Sequence, residues 1–206
     1  MDGLTFIVDE DANTPLVIER FDALYAKMKI ENRSNRTLAV RHLVSDGIIK
    51  HKNSGNLFLD DVCCGVVDIH GGKVWARQLN QEGSYNAEKE PEPRPNTVND
   101  GGDFWLFGLK TEQNRTKVWT KNGGRSELYT YILANRAENP LPMFIAEDSS
   151  VALSVFETTL RNGPFVSVLQ TIHKGNPGAV VPGSTHRGGI CRPWVVAIPV
   201  TGEVTK

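Results

Sequence analysis

The sequence predicts an all-β fold, wound as a β-solenoid of about three strands per coil, and three observations predict it. Short runs rich in β-branched and aromatic residues recur about every nine residues, the interval of many short strands. The connections between them are too short to hold a helix and carry Gly, Asn, Asp and Ser, the residues of tight turns. Between Gly101 and Leu133, the three runs Phe104–Leu109, Thr116–Thr120 and Ser126–Leu133 read as the three strands of one coil around a shared core.

Length and charge bound the rest. With 206 residues, 39% hydrophobic, the chain can fill one sizeable core. A formal net charge of −1 gives no electrostatic case for nucleic acid or for an anionic membrane surface. No apolar run approaches the length of a membrane span. The opening MDGLTFIVDED lacks a basic stretch followed by an apolar run, so no signal peptide is visible. The three cysteines, Cys63, Cys64 and Cys191, form no Cys-x-x-Cys spacing; they read as small buried apolar groups, with a strained Cys63–Cys64 bridge as the alternative.

Taken in order, Leu4–Val8 and Pro15–Glu19 are strands parted by the acidic turn Asp9–Thr14. Phe21, Leu24, Tyr25 and Met28 fall on the helical template, yet Lys27–Glu31 alternates with period two; a bend at Phe21–Ala23 followed by a strand is expected. Apolar cores then appear at Leu38–Val40, Ile48–Ile49, Leu57–Leu59, Val66–Ile69 and Val74–Leu79. The segment Gln81–Asn99, rich in Glu and Pro, cannot bury a face and reads as an excursion from one turn. Met143–Ala146, Val151–Phe156 and Phe165–Leu169 resume the strands, although Val151–Leu160 also suits a short helix. Residues 1–173 thus form the solenoid, with 81–99 as its excursion. The Gly/Pro-rich tail, 174–206, is expected to pack on the last coil, whose strand edges need cover.

A hairpin sandwich would show the same spacing. Asp46-Gly47 and Asn122-Gly123 are candidate two-residue hairpin turns, and most other connections are longer. On pattern alone the two architectures stand level.

Three motifs weigh in: LFLDDVCCG (Leu57–Gly65), KVWARQLNQE (Lys73–Glu82) and VNDGGDFWLFGLKTEQNRTKVWTKNGGRSEL (Val98–Leu128). Together they resemble the C-terminal coils of bacterial pectate-lyase-like proteins, single-stranded right-handed parallel β-helices of the glycoside hydrolase and pectate lyase superfamily. The resemblance runs from roughly Pro15 to Phe156 and favours the solenoid. Its right hand agrees with the general preference of parallel crossovers. Members usually carry earlier coils in which the substrate cleft is built. The resemblance therefore implies the C-terminal part of a longer secreted protein, or a shortened relative, at an extracellular or cell-surface location.

The implied partner is a polysaccharide or glycan, with no nucleic acid and no membrane span. A lyase of this shape needs acids for Ca²⁺ and a base beside the uronate carboxylate. Asp60, Asp61 and Asp68 are the densest acids, and Arg77 lies one strand later. Strand alternation puts Asp60 and Asp61 on opposite faces, and solvated turn acids explain all three. The Asn-Thr-Asp, Gly-Asp-Asp, Gly-His-Gly and Arg-Ile-Lys patterns of polygalacturonase-like hydrolases are missing, so no catalytic residue is carried over. Lys110 and Glu112, with Arg115, read as a structural ion pair, and the sequons at Asn32, Asn35 and Asn114 matter only in a glycosylating host.

Binding asks less. If Val74 and Ala76 face the core, Trp75 and Arg77 point outward; by the same alternation Val118 points in, and Lys117 and Trp119 out. A Trp beside a cation makes a stacking platform for a sugar with a handle for its carboxylate or hydroxyl. The expectation is a non-catalytic scaffold or glycan-binding segment with no cofactor. An active polysaccharide lyase or glycoside hydrolase, using Ca²⁺ if a lyase, is the first alternative, and a tailspike-like fibre the second.

Overall fold

The computed structural model describes residues 3–24, 27–52, 54–81, 94–111, 115–134, 139–159, 165–182 and 192–198. It is all-β over these residues, a parallel solenoid of about six turns. Odd-numbered strands stack into one sheet, sheet A: β1 (Thr5–Val8), β3 (Lys29–Asn32), β5 (Ile48–His51), β7 (Val66–His70), β9 (Thr97–Asp100), β11 (Val118–Lys121), β13 (Asn139–Glu147) and β15 (Phe165–His173). Even-numbered strands stack into sheet B: β2 (Leu16–Ala23), β4 (Leu38–Ser45), β6 (Asn56–Cys63), β8 (Lys73–Asn80), β10 (Asp103–Lys110), β12 (Arg125–Ala134) and β14 (Ser150–Thr159).

Every pair among β1–β15 is parallel, and none of these strands pairs with its neighbour in sequence within that set, so the sandwich is excluded for this body. Asp46-Gly47 turns the chain from one sheet to the other rather than reversing it. A Cβ at Gly47 would lie 1.6 Å from the Met28 carbonyl oxygen, so only glycine lets the two turns approach this closely.

Each turn presents three sides because the sheet B strands are bent. Arg20, His42, Asp61, Gln78 and Gly108 all have positive φ, between 49° and 87°, and the ladder skips each of them in register. In β4, for example, Leu38–Arg41 forms one arm, His42 the corner, and Leu43–Ser45 the other. The corner also revises the stretch from Gly101 to Leu133: β12 lies on β10, with Phe104 opposite Ser126, so it holds a full turn and the start of the next.

Inside, like residues stack in columns along the axis. Ile18, Val40, Leu59, Ala76, Leu106, Leu128 and Leu153 form one in sheet B; Ile30, Ile49, Val67, Thr97, Val118, Phe144 and Leu169 form another in sheet A. All are buried. At roughly 1.5–3 kcal/mol for each large apolar side chain, these columns are the main source of stability. Polar columns close the turns: Asn99 donates from Nδ2 to the Gly102 and Arg125 carbonyls and to Ser126 Oγ, each at 3.0 Å.

The helical template over Phe21–Met28 is not realised, since β2 runs through Ala23 as strand, bent at Arg20; Tyr25 lies outside the described residues. Val151–Leu160 is strand as far as Thr159. Beyond the last parallel strands, β16 (Asn176–Pro182) pairs antiparallel with β15, and β17 (Arg192–Ile198) pairs antiparallel with β14. Cys63 and Cys64 are thiols without a bridge between them, and burial pushes Cys64 up to about 12; Cys191 lies outside the described residues.

Candidate binding face

The outer surface of sheet B carries two columns side by side. Strict alternation before the corner produces them: Leu57, Leu59, Val74 and Ala76 point in, so Phe58, Asp60, Trp75 and Arg77 point out. In register, one column reads Ala39, Phe58, Trp75, Trp105 and the next Arg41, Asp60, Arg77, Phe107, Tyr129.

The first is an aromatic ladder. Phe58 and Trp75 stack with centroids 4.8 Å apart and 10° between planes, and Trp75 and Trp105 stack at 5.0 Å and 9°. The inter-strand spacing, about 4.8 Å, falls within the centre-to-centre separations of stacked rings, so flat side chains at one register position can lie face to face. Trp75 therefore has both ring faces covered. The sugar platform expected on its face is not available; only its edge reaches solvent. Open ring surface is found instead at Phe58, 40% exposed, above the small Ala39.

The second column is ionic. Arg77 grips Asp60 with both ends of its guanidinium, Nε at 2.9 Å and Nη2 at 3.0 Å, and Arg41 Nε stands 3.7 Å from the same carboxylate. Arg41 stands between two carboxylates, with Nη1 3.9 Å from Glu19 on the strand before, so the ions alternate along the column and the exposed Arg77 ends the row. Between the columns runs a groove of about 400 Å³, floored by the strand backbone at Leu59 and Ala76, whose side chains point into the core.

The four residues expected to bind are not brought together. Trp75 and Arg77 are neighbours on β8. Trp119 lies on the outer face of sheet A, with Lys121 Nζ 5.1 Å over its ring and its own indole N–H buried without a partner. Lys117 does not point outward at all. It is fully buried, Nζ 5.7 Å from the Phe165 ring centre, and burial, helped by the Arg115 charge, pulls its pKa down to about 7. Lys117 precedes the first residue of β11, at a corner where the period of two does not yet apply, so it and Val118 both turn in.

The acids weighed as calcium ligands are engaged elsewhere. Asp60 is held as described, Asp61 sits at the corner 3.0 Å from His42 Nδ1, and Asp68 pairs with Arg94. Asp61 shares the outward side with Asp60 because the left-handed corner interrupts alternation. Among the described residues, no group of three or more His, Cys, Asp or Glu is placed to hold a metal ion. Arg115 donates to the Arg94 carbonyl at 2.7 Å. Glu112, Asn114 and residues 82–93 lie outside the described residues; the end of the expected 81–99 excursion belongs instead to β9, where Thr97 and Asn99 are buried and hold the sheet A ladder. Asn32 is buried and Asn35 exposed.

Sequence reasoning missed Phe58, Trp105, Arg41 and Asp60 as partners of Trp75 and Arg77. Laying LFLDD, VWARQ and FWLFG over one another at their inward residues would have found them. No family model, no curated protein and no solved structure matches this chain.

Proposed function

We propose that the chain is a rigid β-solenoid scaffold that binds an acidic glycan along the outer groove of sheet B without cleaving it. One observation carries this reading: a groove on an exposed sheet face with aromatic edges on one wall and the guanidinium groups of Arg41 and Arg77 on the other. Aromatic edges and the open Phe58 ring take the C–H faces of sugars, and the exposed Arg77, which spends only Nε and one Nη on Asp60, offers its remaining N–H groups to carboxylates. The reading is non-catalytic because Asp60, the one carboxylate lining the groove, accepts a two-pronged guanidinium bond. That bond occupies both of its oxygens, which leaves neither free to face a glycosidic oxygen. A partner of this kind implies an extracellular or cell-surface setting.

The test is titration of polygalacturonate and of neutral dextran against indole fluorescence. Saturable binding of the uronate polymer alone is expected, weakened about tenfold by Arg77→Ala. Equal binding by Phe58→Ala, Arg77→Ala and the parent would overturn the groove. New reducing ends or ultraviolet-absorbing unsaturated product would overturn the non-catalytic part.

A further inference from the structure

Sheet A carries a second arrangement that the groove does not use. Glu31, on β3, is 1% exposed, yet its carboxylate meets three cations: Lys29 Nζ at 2.6 Å, Lys52 Nζ at 2.7 Å and Arg33 Nε at 2.9 Å. Hydrogen bonds from Arg33, Lys29 and Lys52, in that order, hold its carboxyl well below the usual range. Lys50, the register partner of Glu31 on the next strand, lies between it and Asp68 and is not one of the three.

One carboxylate does not balance this set. Among the described residues, Glu31 is the one carboxylate within ion-pair distance of Lys29, Arg33 and Lys52, although Asp9 acts on Arg33 from farther away. Donors are also in surplus. An ammonium has three N–H groups and a guanidinium five. Each of these spends little on Glu31, and the side chains stay 36%, 47% and 43% exposed. Converging cations repel one another, so a cluster held together from beneath by one buried anion is completed by a second anion from above.

We propose that Lys29, Arg33 and Lys52, braced by Glu31, form a receptor for a tetrahedral oxyanion, the sulfate or phosphate group of an ester-bearing ligand. A tetrahedral anion takes donors from three directions at once, which a planar carboxylate does less well. The site lies on the other sheet from the groove and stands or falls independently of it.

The experiment follows backbone amides 29–33 and 50–52 by NMR while inorganic sulfate, inorganic phosphate or acetate is added at matched ionic strength. Saturable shifts with sulfate or phosphate, and weaker ones with acetate, are expected. Lys52→Gln is expected to weaken binding about tenfold. Shifts that follow ionic strength alone, equal response to acetate, or Lys52→Gln binding like the parent would overturn the proposal. Competition by dextran sulfate against phosphorylated dextran then separates the two esters; failure of both to displace the inorganic ion would overturn the assignment to ester groups.

Discussion

Sheet B changes character between β10 and β12. From β2 to β10 every strand bends at a left-handed residue, whereas β12 and β14 pair without a break from Arg125 opposite Ser150 to Ala134 opposite Thr159. The two geometries cannot stay in register past the corner, and the ladder between β10 and β12 stops at Phe107 opposite Tyr129. Thr130 repairs the seam: its hydroxyl accepts the Leu109 N–H at 3.0 Å and donates to the Leu109 carbonyl at 3.2 Å. The lesson is that a solenoid can change cross-section between two rungs if one side chain satisfies the backbone groups left behind.

That contrast can be broken at several points. The largest effect is expected in the shared core, where Leu59→Ala in a bent turn and Leu128→Ala in a straight one should each cost about 2–5 kcal/mol by chemical denaturation. Gly108→Val should cost roughly 1–3 kcal/mol, because a β-branched residue is forced to φ 87° at the last bent corner. Thr130→Val should cost about 1–3 kcal/mol by stranding both Leu109 backbone groups, an effect hydrogen exchange at Leu109 would localise. Gln78→Gly works the other way: it relieves a left-handed side chain and should leave stability level or raise it by up to about 1 kcal/mol.

The two regions should also differ in their response to pH. Burial lowers the pKa of His51 in the bent part, and its neighbour Glu31 is held ionised by three cations. The unfolded chain binds protons more readily at both groups, so stability there falls as pH drops below about 6.5 and again below the ordinary carboxylate value. Lys117, at the seam, deprotonates near 7 in the fold and near 10.5 in the unfolded chain, so its contribution should rise with pH between those values. A melting series from pH 4 to 10 checks both slopes, and Lys117→Met should flatten only the alkaline one.

Much of this architecture was legible. LFLDD, KVWARQL and DFWLFGL alternate cleanly because their arms lie flat on the core, and the outward placement of Trp75 and Arg77 follows from that. The corners were not legible. Arg20 and Gln78 have no intrinsic reason to be left-handed; stacking on the turns beneath imposes the bend, and only His42, Asp61 and Gly108 hint at it locally. Lys117 was misplaced for the same reason, since period two was carried across a corner. The face of Trp75 was lost to neighbours one turn away, which no window along the chain can show.

Stacking in register also makes this molecule a ruler. Duplicating one whole turn, from a sheet B strand to the residue before the next, would lengthen the outer columns by a single increment of about 4.8 Å and leave every inward contact type unchanged. Reach on such a surface comes in whole steps, and a ligand with its own repeat would sense the number of steps rather than the identity of any one of them.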